Sequence, residues 1–538
     1  LDGNKVRVLI YDTTLRDGSQ AEGISLTVDD KLKITRKLDE LGVAYVEGGW
    51  PGSNPKDTEY FRRVRSLALH HARIVAFGST RRAGGDVTGD TNLRALLEAE
   101  TPCVCLVGKT WDFHVHTALQ TTLEENLAMI RDSVGYMKDK GREVVYDAEH
   151  FFDGFKANPD YALATLEAAA GAGADWIVLC DTNGGSLTLQ VEEIVGRIAA
   201  CIAAPLGIHT HNDGELAVAN SIAAVNRGVR MVQGTINGYG ERCGNANLCS
   251  VIPNLQLKMN CDCIDPALLQ HLTEASHFVD EIANMAPRTQ QSFVGASAFA
   301  HKGGIHVSAI LRNPLTYEHI DPALVGNHRR VLVSELAGLS NIFSKAQELG
   351  LDLEQGNPHA RELIQQIKDM EHRGYQYEAA DASLELLLRR GLGKYREFFT
   401  FESLKIHVDK HPRDPEAIST EATLKLRVGD RLIHTAAEGN GPVSALDNAL
   451  RKALEESYPC LKEMRLVDYK VRVLDGKEGT GSTVRVLIES SDDQDVWSTV
   501  GVSENIIEAS WQALTDSMNY ALLKSEVRGK RSEAGEKM

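Results

Sequence analysis

Three things are scarce in this chain, and each scarcity removes a class of function. No apolar run approaches the ~18 to 20 residues a membrane-crossing helix needs, so no span is expected. Basic residues are outnumbered: 58 Lys and Arg against 75 Asp and Glu leave a formal net charge of −17. That balance argues against nucleic acid or an anionic membrane as a main partner. Cysteine is sparse and unpatterned, with nine in all. Cys103/Cys105 and Cys261/Cys263 are CxC pairs, not the CxxC spacing of a structural zinc site. Buried, reduced thiols in a cytoplasmic protein are the expectation. The stretch LDGNKVRVLI has neither a basic leader nor a small-residue cleavage site, so no export signal is expected. With 538 residues, two or three domains and a large core are affordable.

What is present is alternation. Eight short apolar runs read as strands: VRVLIY from Val6, VAYVEGG from Val43, RIVAFGS from Arg73, CVCLVGK from Cys103, EVVYDAE from Glu143, DWIVLCDT from Asp175, LGIHTH from Leu206 and RMVQGTING from Arg230. Between them lie segments of helical period such as TVDDKLKITRKLDELG. Near-continuous apolar strands alternating with helices mean a parallel sheet covered on both faces. Eight such units over residues 1–277 predict an α/β fold, a (β/α)8 TIM barrel, with its chemistry at the C-terminal ends of the strands. Polar groups gather where the runs end: Arg16-Asp17, Glu47, Ser79-Thr80, Lys109, Glu149, Asp181-Thr182-Asn183, His209/His211 and Asn237. Scattered loop polarity would not line up in this way.

Residues 278–400 lose that rhythm. A Gly-, Pro-, His- and Asn-rich segment is followed by helical stretches, which suggests a linker subdomain. Residues 401–530 carry a weak internal duplication, EGNGPVSALDNAL answered by VGVSENIIEASWQAL. Two β–β–α copies predict a small α+β domain of regulatory rather than catalytic character.

HTHND, at the end of the seventh run, places His209 and His211 two apart, hence on one face of a strand. With Asp17 across the mouth they form a two-histidine, one-carboxylate set that leaves open positions on a divalent ion. The bland alternative is a hydrogen-bonded histidine pair. His114 and His116 have the same spacing but fall beyond the fourth run, where their directions diverge, so they read as surface or pocket-lining residues. His70-His71 reads as solvated on a polar helix. The glycines of NGYGERCGNAN permit either a phosphate cradle or a turn that aims Asn245 at the metal, and the turn is the better reading.

DTTLRDGSQ, HTHNDGELAVAN and NGYGERCGNANL, taken together with FAHKGGIHVSA, resemble the metal-dependent Claisen-condensing acyltransferases that include 2-isopropylmalate, homocitrate and citramalate synthases. The resemblance covers essentially the whole chain, and its C-terminal part is similar to the family's allosteric amino-acid-binding domain. DGSQAEGISL and EGGWPGSNPKD look most like the citramalate-forming branch rather than the isopropylmalate one. The resemblance implies that acetyl-CoA and pyruvate are the substrates and that the chain forms a homodimer and serves isoleucine synthesis. It implies Mn2+, Mg2+ or Zn2+ on Asp17, His209 and His211, with Asn245 as a fourth or near ligand. Arg16 would stabilise the alkoxide and Thr182 would contact the oxoacid carboxylate. The base is either Glu149 or His306, with Tyr317 assisting, and His306 would reach a neighbouring subunit's barrel. Feedback inhibition by isoleucine is expected through the C-terminal domain. Isopropylmalate synthesis from 2-oxoisovalerate is the nearest alternative, and a metal-dependent lyase or aldolase on the same barrel is a remoter one.

Overall fold

A computed structural model describes residues 5–351, 353, 358–410, 418–474 and 479–535. Eight parallel strands close into a barrel in sequence order. They are β1 (Leu9–Asp12), β2 (Tyr45–Gly49), β3 (Arg73–Ser79), β4 (Cys103–Lys109), β5 (Glu143–Glu149), β6 (Trp176–Asp181), β7 (Leu206–Thr210) and β8 (Met231–Gly234). β1 pairs with β2 on one side and with β8 on the other, so no edge is left open. The eight runs expected from sequence are these strands, three of them residue for residue.

The period-two alternation of each strand splits its apolar residues between two layers. Val75, Phe77, Cys103, Cys105, Val178 and Cys180 fill the interior. Their neighbours Ala76, Val104, Leu106, Ile177 and Leu179 pack outward under the helices. Six of the nine thiols are buried as expected, whereas Cys201 and Cys243 are exposed and Cys460 is half-buried; burial pushes Cys103 and Cys105 far above the usual thiol range. Helix entry is set locally: Thr27 and Asp30 make a capping box for the helix Val28–Leu41, which Gly42 ends in a left-handed conformation. The barrel unit takes in residues as far as Phe299 together with His319–Arg329, and the helix Leu272–Ile282 runs through residue 277.

The second unit comprises Ala300–Glu318 and the chain from Arg330 onward. A short parallel pair, β9 (Ala300–His301) with β10 (Arg330–Val331), precedes the helices Leu339–Glu348, Pro358–His372 and Asp381–Gly391. Two antiparallel sheets follow. One is β11 (Thr400–Lys410), β12 (Ile418–Val428) and β13 (Arg431–Gly439), with the helix Pro442–Leu454. The other is β14 (Arg465–Val473), β15 (Val484–Ser491) and β16 (Val496–Ser503), with the helix Ile506–Gly535.

The duplication is present, but each copy has one strand more than the β–β–α pattern predicts. β11 and β14 are edge strands, whose runs are broken by Lys405, His407, Asp468, Lys470 and Arg472. Charge on an edge strand discourages sheet-to-sheet aggregation and also hides the strand from a hydrophobic-run search. Val333, Ile342, Leu363, Leu384 and Leu387 share a core with Val500 and Val502 of β16, so no packing break falls at residue 400.

Candidate active site

The first turn of the barrel is built by short-range bonds. The Asp12 carboxylate accepts from the Thr14 amide and hydroxyl, each at 2.8 Å. The Thr14 hydroxyl in turn accepts from the Ile236 amide at 2.9 Å, tying the exit of β1 to that of β8. This leaves Asp17 buried at the rim, 3 % exposed. Its Oδ2 lies 3.3 Å from His209 Nε2 and 3.9 Å from His211 Nε2, and the two imidazole nitrogens are 3.2 Å apart. One potential ligand atom from each of the three sits within 4.8 Å of the others.

Asn245 joins them. Its amide donates to Asp17 Oδ2 at 2.8 Å, while its own buried Oδ1 has no partner. An orphaned buried acceptor beside a carboxylate and two imidazoles is what a divalent cation would satisfy. The glycines serve this turn. A Cβ at Gly240 would sit 2.7 Å from Asn245 Oδ1, and one at Gly244 would run into the Gly238 carbonyl oxygen. Asn237 stands apart from the site. It adopts a left-handed conformation and bonds to Ser276, Asp280 and Gln291 beneath the rim.

Sequence reasoning missed the support behind His209. Asp147, inside β5, accepts from Gln233 Nε2 at 2.9 Å, which turns Gln233 Oε1 towards His209 Nδ1 at 2.8 Å. His209 Nδ1 therefore carries the hydrogen, leaving Nε2 to face Asp17. Both supporting residues lie within apolar strand runs, so local patterning hides them. Burial, then the nearby Glu47, pushes Asp147 up to about 6. Burial, then His209, pushes His211 down to about 3. Burial opposes a charged Asp17, yet Arg16 and His209 outweigh it and hold the carboxyl far below the usual range.

Arg16 is fixed by Glu47, whose carboxylate takes Nε at 2.5 Å and Tyr11 Oη at 2.6 Å. The guanidinium lies over the Phe77 ring at 3.9 Å and its Nη1 is 3.5 Å from Asp17. A cavity of about 650 Å3 opens beside it, lined by Arg16, Asp17, Lys109, Glu149, Thr182 and His209, among others. The Thr182 hydroxyl accepts from the His150 amide at 2.9 Å. Glu149 forms an ion pair with Lys109.

The other histidines fall as follows. His114 ends a short helical turn and packs on Trp111 and His150, whereas His116 is exposed, so the two diverge. His70 and His71 are exposed but lie in the bend before β3, not on a helix, because their amides are held by Asp39. His306 and Tyr317 belong to the second unit, where their rings stack at 4.2 Å, both exposed.

The closed eight-stranded barrel with an Asp-His-His cluster at its mouth defines a class. Residues 7–279 match the HMGL-like family, residues 293–375 the homocitrate synthase post-HMGL domain-like family, and residues 378–522 the LeuA allosteric (dimerisation) domain. An (R)-citramalate synthase from Geobacter sulfurreducens is 58 % identical over 96 % of this chain and 98 % of its own. One from Aquifex aeolicus is 54 % identical over 97 % and 99 %, respectively. A 2-isopropylmalate synthase from Methanocaldococcus jannaschii is 31 % identical over 97 % and 96 %. The chain belongs to the family of the 2-isopropylmalate, homocitrate and (R)-citramalate synthases.

Proposed function

We propose that the chain is an (R)-citramalate synthase, condensing acetyl-CoA with pyruvate and water to give (R)-citramalate and CoA. The observation that carries this is near-full-length identity of 58 % to one such enzyme, against 31 % to the 2-isopropylmalate synthase. The barrel mouth supports it by offering the groups the reaction needs.

Asp17, His209 and His211 would hold a divalent cation, Mn2+, Mg2+ or Zn2+, with Asn245 completing or buttressing the set. When bound, that cation supplies Lewis-acid polarisation of the 2-oxoacid. The rest falls to side chains. Thr182 orients the oxoacid carboxylate. Arg16, kept permanently cationic and held by Glu47, receives the charge that builds on the ketone oxygen as the new carbon–carbon bond forms. Glu149 takes the acetyl methyl proton, or His306 with Tyr317 does so from a second subunit. The same groups would then activate the water that cleaves the thioester.

The LeuA-type domain supports a homodimer and feedback by isoleucine, the end product of a pyruvate route to that amino acid. Nine free thiols suit a reducing cytoplasm. The test is a panel of 2-oxoacids with acetyl-CoA, following free CoA with and without chelator. Pyruvate should be preferred and chelator should stop turnover; preference for 2-oxoisovalerate would sink the assignment.

A further inference from the structure

Lys109 and Glu149 close the fourth and fifth strands of the barrel as direct cross-strand partners. Both line the cavity that also receives Arg16, Thr182 and His209, and each side chain is about one quarter exposed, 25 % and 24 %. Their backbones are pinned from behind. Asn126 Nδ2 donates to the Lys109 carbonyl at 2.8 Å, and the Thr110 hydroxyl donates to the Glu149 carbonyl at 2.6 Å. The next residue, His150, is held at a φ of 58°, left-handed backbone that is costly for a residue other than glycine. Strain of this kind persists only where surrounding structure enforces it, and here it fixes the exit of β5.

An ion pair on a cavity wall is a poor stabilising device, because partial desolvation offsets most of the Coulomb gain. It becomes useful if one partner loses its charge during the reaction. This reasoning rests on the reading of Glu149 as the base. When its carboxylate takes a methyl proton from acetyl-CoA, the C–H bond breaks, the O–H bond forms and Glu149 becomes neutral. The electron pair left on the methyl carbon delocalises onto the thioester oxygen. Negative charge thus moves from Glu149 to that oxygen, and an ammonium that has just lost its partner is free to follow it. Lysine suits this role, since its flexible stem and three donors can re-aim over a short distance.

We infer that Lys109 is a catalytic residue of the condensation, its ammonium donating a hydrogen bond to the thioester oxygen as the enolate forms. The enolate carbon then attacks the ketone carbon of pyruvate, the thioester carbonyl reforms, and the electron pair of the ketone passes to its oxygen beside Arg16. Glu149 gives its proton to that alkoxide and, once more a carboxylate, takes back Lys109. The interaction strengthens in the transition state rather than in the ground state, which is the condition for raising kcat.

The experiment uses the full-length, metal-loaded enzyme. Lys109→Met should lower kcat about 100-fold while the KM for pyruvate moves less than about threefold. The isotope effect on kcat with trideuterated acetyl-CoA should rise, and Mn2+ affinity should be unchanged. Lys109→Arg, which keeps the cation, should recover at least about a tenth of the activity. Turnover of Lys109→Met within threefold of the unaltered enzyme, or a loss with no rise in the isotope effect, would overturn the inference. If Lys109→Met does not melt cooperatively, Lys109→Arg decides: an unfolded or inactive arginine variant also overturns it. Failure of the underlying readings looks different. No CoA release from pyruvate by the unaltered enzyme refutes the proposed reaction, and a fully active Glu149→Gln refutes the transfer of charge from that carboxylate; either removes the inference as well.

Discussion

The barrel mouth and the C-terminal sheets carry charge in opposite ways. At the mouth, Asp17, His209, His211, Asp147 and Glu47 are buried against one another, with Asn245 Oδ1 left unpaired. On the sheets, pairs such as Arg431–Glu456 are 62 % and 71 % exposed at 3.0 Å and sit in solvent. Desolvation makes the first arrangement expensive, and only something gained elsewhere explains its retention. The second costs little and contributes little. Buried charge is not confined to the mouth, since Lys31 and Asp57 pair out of solvent elsewhere in the barrel unit. Among the described residues, only at the mouth does it gather beside an unpaired buried acceptor and a cavity.

The sharpest way to break that contrast is to empty the mouth. Prolonged chelation should abolish CoA release and added Mn2+ should restore it, whereas Asp17→Asn should be inactive under both conditions. Activity that survives both treatments would remove the metal from the reaction. Removing the support behind the ligands should do less. Gln233→Leu frees His209 Nδ1 from its acceptor and should weaken metal binding about 10- to 100-fold, read by Mn2+ titration.

In the sheets, apolar packing rather than charge should dominate. Leu424→Ala, in a fully buried site on β12, should cost about 2 to 5 kcal/mol by denaturant unfolding. Asp12 tests buried charge without catalysis, since burial raises it to about 7. A carboxyl raised in the folded state binds its proton there while the unfolded chain has released it, so its contribution to stability falls as pH climbs from about 4 to 7. Asp12→Asn should flatten that part of the stability–pH curve, and a curve of unaltered slope would count against the assignment. Smallest of all, Arg431→Ala should change stability by less than about 1 kcal/mol. A larger loss would erase the distinction between the regions.

Much of this was legible from local pattern. The strands were, because each is a short apolar run in a fold that buries both faces. Asp17, His209 and His211 were, because period two and strand-end position suffice to bring them together. Gln233 and Asp147 were not, since a polar residue within an apolar run gives no sign that it faces another strand's histidine. The pairing of Lys109 with Glu149 was equally hidden: both were visible as rim residues, but strand register alone makes them partners. β11 and β14 escaped because edge strands are written with charged residues. The shared core of Val333 and Ile342 with Val500 and Val502 depends on contacts more than 150 positions apart, which no window along the chain can see.

That shared core has a consequence for anyone recombining this enzyme with its relatives. A crossover near residue 400, where composition invites one, would mate half of a packed interior with a stranger's half. A graft that carries the chain from Ala300 through the final helix as one cassette keeps those side chains, and the β9–β10 pair, with their native neighbours. Swaps drawn on that line should express and melt cleanly, whereas swaps drawn at 400 should yield aggregates.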